Sequence, residues 1–153
     1  MAFLPKVVSP LKTLFVREAV EVALVSVELW PSQVIVRLAG LPSAATESRT
    51  RDHQAALDAW TRAARADRAA AGASPEEPGE RVLQPLTLSL RDDSATEYWL
   101  RSAQFGGTGS EWRGDWFFEP GPPADARTLQ VTFDAPDSPT TDVAIDLSTL
   151  TPA

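Results

Sequence analysis

The chain holds one histidine, His53, and no cysteine, so any histidine-based acid-base chemistry would have to run through a single imidazole. A hydrolytic triad needs that histidine beside a serine and a carboxylate. His53 instead sits in an Ala-rich, charged stretch that reads as a helix, where a helix-face residue is expected. Two-carboxylate hydrolysis needs only acids that meet in space, and no motif here asks for it. The expectation is a protein that is not an enzyme. The lack of cysteine removes zinc ribbons, thiolate nucleophiles and disulfide frameworks, and it fits a reducing cytoplasm, the compartment expected here.

Three further groups could bind rather than react. The glycine run Gly106-Gly107-Thr108-Gly109-Ser110 invites a phosphate reading, but a phosphate cradle needs a strand before it and a helix after it; here a strand follows. It reads as a flexible strand connection, and Gly107, Thr108 and Gly109 beside Trp112 are candidates for a binding loop. The aromatic set Trp30, Trp99, Trp112, Trp116 and Phe118 could stack on sugar rings. Trp112, Trp116 and Phe118 alternate as inward residues do, which favours core packing. Trp99 lies in phase with Glu97 and Arg101, so it is expected on the wet face as the best single hot-spot candidate. Asp134, Asp137 and Asp142, with Asp92 and Asp93, carry oxygens that suit calcium. They follow no EF-hand loop, and acids at strand ends are ordinary turn residues. No cofactor and no metal are expected.

These residues must be positioned mainly by strands. Leu129-Gln130-Val131-Thr132-Phe133-Asp134 and Asp142-Val143-Ala144-Ile145-Asp146-Leu147 alternate apolar with polar, as do Leu86 to Arg91 and Val34 to Leu38, and that period of two implies sheets with one dry face. Leu88, Leu90, Val131, Phe133, Val143, Ile145 and Leu147 should share one core. In Val20 to Leu29 the inward parity slips near Leu24 and Val25, which predicts a β-bulge. Trp30-Pro31-Ser32-Gln33 supplies the turn of a hairpin. With a short strand at Thr13 to Val16, the count is about seven to eight strands at sandwich spacing.

Between Thr46 and Ala71 Gly and Pro vanish, and Gly72 with Pro75 marks a stop, so one helix is expected over about 52–71. His53, Leu57, Trp60, Ala64 and Ala71 share a face; Arg51, Asp58, Arg62 and Arg65 lie opposite. The following run, Ala73 to Glu80, is an acidic, Pro-rich connector with no reason to fold on its own. Residues 46–84 are thus a helical insertion with its connector inside a single 1–153 domain, a length that buries a core without staples.

The net charge of −7 opposes a phosphate-tracking surface, so nucleic acid is not an expected partner. Met1 to Val16 is broken by Lys6, Lys12, Pro5 and Pro10 and lacks the apolar core of a secretory signal, and no stretch is long enough to span a membrane. Twelve arginines against two lysines read as the mark of a GC-rich genome.

From Leu88-Ser89-Leu90-Arg91-Asp92-Asp93 through Glu111-Trp112-Arg113-Gly114-Asp115-Trp116-Phe117-Phe118 to Leu129-Gln130-Val131, the chain resembles uncharacterised actinobacterial proteins with an immunoglobulin-like sandwich. It is similar, more loosely, to β-sandwich ectodomains of anti-sigma-factor-like membrane proteins. The resemblance rests on turn and core residues, implies an immunoglobulin-like antiparallel sandwich and transfers no active site. The chain departs from the ectodomain pattern in its 46–71 insertion and in having no transmembrane helix. The expected role is a non-catalytic protein-interaction or accessory domain that meets an unidentified protein through Trp99, Arg51, Arg62 and Arg65. The alternative is a small-ligand or carbohydrate-binding module using exposed aromatics and the Gly-rich loop.

Overall fold

A computed structural model describes residues 4–107 and 111–150. Two antiparallel sheets face each other. In the larger, β1 (Lys6–Val8) and β2 (Lys12–Arg17) pair with opposite halves of β3 (Val20–Leu29), followed by β4 (Val34–Gly40), β7 (Trp112–Glu119) and β6 (Trp99–Gly106). The smaller has the order β5 (Thr87–Asp92), β8 (Thr128–Asp134), β9 (Thr141–Asp146). This is a mostly-β sandwich, with nine strands among the described residues where seven to eight were expected. The short β1 is the strand that patterning overlooked, because three residues are too few to establish a period.

The core follows the alternation. Val131, Phe133, Val143 and Ile145 of the smaller sheet meet Val22, Leu24, Val36, Leu38 and Trp116 of the larger. Leu88 is buried with them, and Leu90 and Leu147 are partly buried against the cluster. The pairing of β3 with β4 shifts register between Leu24 and Ser26, placing the bulge at Val25; one extra residue there keeps both halves of a ten-residue strand facing inward. The Trp30 N–H closes the hairpin onto the carbonyl of Gln33 at 2.9 Å.

The helical segment departs from expectation in three ways. α1 spans Ala44–Ala66, beginning eight residues before the expected start, because Ser43 and Thr46 form a reciprocal capping box that satisfies orphan N–H groups of the first turn. It breaks at Asp67, whose carboxylate accepts from the N–H groups of Ala69 and Ala70 and so starts a separate turn, α2 (Arg68–Ala71). The connector is not unstructured throughout: α3 (Pro78–Leu83) forms inside it. Pro78 suits the first helical turn, and burial supplies what local composition lacks, since Val82 and Leu83 are wholly buried. Gly79 packs so closely on Trp112 that a Cβ there would lie 3.2 Å from the ring. β6 begins only at Trp99, because Asp92 accepts from the N–H groups of Ser94 and Thr96 and holds the residues after β5 in a turn.

Candidate functional site

α3 closes one end of the sandwich, and α1 stands on that end. Its foot is fixed by Arg49, which donates to the Glu18 carboxylate at 2.9 Å and to the Glu18 carbonyl. Glu18 and Ala19 form the two-residue turn between β2 and β3, both with positive φ (49° and 65°), the left-handed geometry of a type I′ hairpin normally given to Asn-Gly. The Arg81 guanidinium lies 3.9 Å from the same carboxylate. Between α1 and the returning connector a cleft of about 470 Å³ opens, lined by Glu18, Arg49, Asp52, His53, Glu76 and Arg81 with Ala56, Pro75 and Pro78.

His53 thus meets carboxylates and guanidiniums in this cleft, and the lining includes no hydroxyl or thiol. A nucleophile to be activated by the imidazole is missing from that set. The charges answer one another, with two arginines on one carboxylate, which makes the recess a polar contact surface and the clamp that holds the helix to the turn. Sequence reading singled out none of Glu18, Arg49 and Arg81. The one signal, a charged residue at a two-residue hairpin turn, becomes visible only once β2 and β3 are paired.

The remaining candidates are spread over the molecule. Beyond Thr46 no residue of α1 is buried. Arg51, Arg62 and Arg65 are exposed, while His53, Leu57, Trp60 and Ala64 are half-buried, as the helical wheel requires. The Trp60 indole donates to the Gly72 carbonyl at 3.2 Å, so the half-buried face is covered by the connector. Trp99 is 54% exposed and neighbours Leu100, which is 49% exposed. It pairs with Glu119, whereas the foot of α1 lies at the Gly40, Trp112 and Gly106 end of the same sheet. An eight-residue strand at about 3.3 Å per residue separates these ends by roughly 23 Å. Trp99 and the helix therefore do not share a surface at the sheet.

Gly107 follows β6 at the helix end and thus cannot share a site with Trp99 either. Its φ is 128°, and a Cβ there would collide with the Glu111 carbonyl, so glycine is required by the turn itself. Thr108 and Gly109 lie outside the described residues. Trp112, Trp116 and Phe118 are in the core, with Trp116 edge-on to Phe105 at 5.4 Å; they form no external stacking platform.

Two of the acids singled out for metal binding, Asp92 and Asp93, are used as backbone staples. Asp92 is buried and accepts from the N–H of Ser94 (3.0 Å), the N–H of Thr96 (2.9 Å) and the Tyr98 hydroxyl (2.8 Å). Burial pushes its pKa up, but the hydrogen bonds from Thr96, Tyr98 and Ser94 outweigh it and hold the carboxyl below its ordinary value. Tyr98 moves the other way: burial first, then the Asp92 carboxylate, keep its hydroxyl protonated. Asp93 accepts from the N–H groups of Arg127 and Thr128, which lower its pKa and tie the β5–β6 turn to the start of β8. Asp134, Asp137 and Asp142 do not converge with a further acid, and among the described residues no group of three or more His, Asp or Glu side chains is placed to hold a metal.

No protein-family model, curated protein or solved structure matches the chain. Among the described residues no helix is long and apolar enough to cross a membrane.

Proposed function

We propose that this chain is a non-catalytic protein-interaction or accessory module whose partner meets α1. One observation carries the reading: a 23-residue helix buries only Thr46, although helices in folded domains draw most of their stability from a buried apolar face. Binding residues lie disproportionately on segments that connect the elements of a rigid scaffold. Its exposed face offers Arg51, Arg62 and Arg65, none in an ion pair among the described residues. Arginine is favoured at interface hot spots and pairs with carboxylates through two parallel hydrogen bonds. The partner surface is therefore acidic.

The likeness of residues 86–131 to actinobacterial immunoglobulin-like proteins belongs with this reading, since such sandwiches serve as rigid supports for appended recognition elements. A cytoplasmic location, argued from the lack of cysteine, is part of the same proposal. Trp99 and Leu100 are the observation that favours a second reading, a small-ligand or carbohydrate contact at the far end of β6; a glycan array on wild type and Trp99→Ala tests it.

The principal test is capture from the native host. Wild type should retain a protein that is lost by the Arg51→Glu, Arg62→Glu, Arg65→Glu variant and by a variant with residues 44–71 replaced by a Gly-Ser bridge, both still folded. Equal capture by all three proteins would overturn the assignment to α1.

A further inference from the structure

The outer face of the larger sheet is less polar than the solvent face of a one-sided antiparallel sheet, and register fixes which residues stand on it. Ile35 lies between Val34 and Val36, and Phe117 between Trp116 and Phe118; all four neighbours are in the core. Ile35 and Phe117 therefore point the other way, and they stand opposite each other across β4 and β7. On the β3 side Ile35 pairs with Glu28, whose carboxylate accepts from the Trp30 indole at 3.4 Å and so holds that ring on the same face. On the β6 side Phe117 pairs with Ser102, and Trp99 stands opposite Glu119, the next outward residue of β7.

Trp99 reaches this face through an irregularity. It lies three residues before Ser102, so strict alternation would turn it toward the core. The register shift between Leu100 and Ser102 inserts one residue, Arg101, and a bulge of this kind re-aims a side chain. Trp30, Ile35, Phe117 and Trp99 thus form one apolar row across four strands, about 14 Å long at about 4.8 Å between strands. Ile35 is its floor, at 7% exposure; Trp30 and Phe117 are half-buried and Trp99 is exposed.

A polar row lies beside it, since Asp115 pairs with Arg37 on one side and Gln104 on the other. Arg37 meets Asp115 at 2.8 Å and Glu28 at 3.1 Å, Arg113 lies 3.8 Å from Asp115, and Arg101 lies 3.6 Å from Glu119. Three arginines answer three acids, which leaves this area neutral in a chain of net charge −7. Gln104 and Ser102 are exposed beside those fixed groups.

We propose that this face binds a neutral oligosaccharide laid along the apolar row, with sugar faces on the rings and hydroxyls on Gln104, Ser102 and the arginine–carboxylate groups. The proposal rests on the carbohydrate contact read at Trp99 and extends it from one residue to a site. An apolar row one residue wide falls far short of the roughly 800 Å² per partner of a stable protein interface, and a neutral face offers no net attraction to a polyanion. A linear ligand that presents apolar faces and hydroxyls side by side matches both rows.

Isothermal titration of the full chain with cellohexaose, xylohexaose and mannohexaose, and with polygalacturonate as the acidic counterpart, tests it. At least one neutral hexasaccharide should bind, and Trp99→Ala, Phe117→Leu and Gln104→Ala should each weaken it about tenfold, a change of about 1.4 kcal/mol. Leu100→Ala should leave binding unchanged, because Leu100 pairs with Phe118 and leaves the strand on its core-facing side. If Phe117→Leu does not fold, the Ser102→Ala, Gln104→Ala variant, altered only at exposed positions, must show the loss. No binding of any neutral hexasaccharide, a preference for polygalacturonate, or an equal loss in Leu100→Ala would overturn the proposal. Loss in Trp99→Ala alone would keep the contact at Trp99 and overturn the row, whereas binding indifferent to Trp99→Ala would overturn both.

Discussion

Asp92 does at residue scale what the β5–β6 turn could not do through its own backbone: one carboxylate receives two N–H groups and a phenol. Removing it leaves those donors without their acceptor, so Asp92→Ala should cost about 2–4 kcal/mol, and Tyr98→Phe, which loses one hydrogen bond to a charged group, about 1–2 kcal/mol. The pH dependence follows from the lowered pKa. A carboxylate whose folded pKa lies below its unfolded value stabilises the fold above the unfolded value, about 3.9, and that contribution is lost as pH falls through the folded pKa. Urea midpoints measured at about pH 6 and about pH 3 should therefore fall less in Asp92→Asn than in wild type. Some acid sensitivity should remain, because Asp93 and Asp146 also have lowered pKa values, Asp146 through the hydroxyl and N–H of Ser148. Trp112 offers the opposite case: its indole N–H is buried without a partner among the described residues. Trp112→Phe removes that unsatisfied donor along with some volume, so it should cost about 1 kcal/mol, against about 3–5 kcal/mol for Trp112→Ala.

Among the elements, α1 and α3 separate cleanly although both come from the same insertion. Val82 and Leu83 of α3 have no exposed surface and Leu57 of α1 is half-exposed. Leu83→Ala should therefore cost about 2–4 kcal/mol, and Leu57→Ala less than about 1 kcal/mol. Replacing residues 44–71 while keeping α3 should lower the melting temperature only slightly, whereas extending the deletion through Leu83 should prevent folding. Calorimetry on the two deletions distinguishes them, and a large loss of stability in the shorter one would make α1 a structural cap rather than a docking element.

For the whole molecule, the six-stranded and three-stranded sheets are joined by one core, so a cavity anywhere in it should be felt globally. Val131→Ala and Ile145→Ala should each cost about 2–4 kcal/mol by transfer and cavity terms. Both should shift a single cooperative transition, with fluorescence and circular dichroism giving the same midpoint. Two separated transitions would mean that the sheets unfold independently.

Period-two alternation is a local property, and it was enough to read the inward residues of β5, β8 and β9, the bulge beside Leu24 and the exposure of Trp99, as Pro31 was for the Trp30–Gln33 turn. The helical wheel did the same for Arg51, Arg62 and Arg65. Features that depend on residues far apart in the chain emerge only on folding. α3 exists because its apolar pair finds the core, and β1 because it finds an edge of β3. Asp92 and Asp93 become staples because the loops they hold come within reach, and Trp99 lies at the end of the sheet away from α1 because of how β6 and β7 pair. The cleft around Glu18 arises in the same way. No local pattern encodes them, since each requires strands distant in sequence to have chosen their neighbours first.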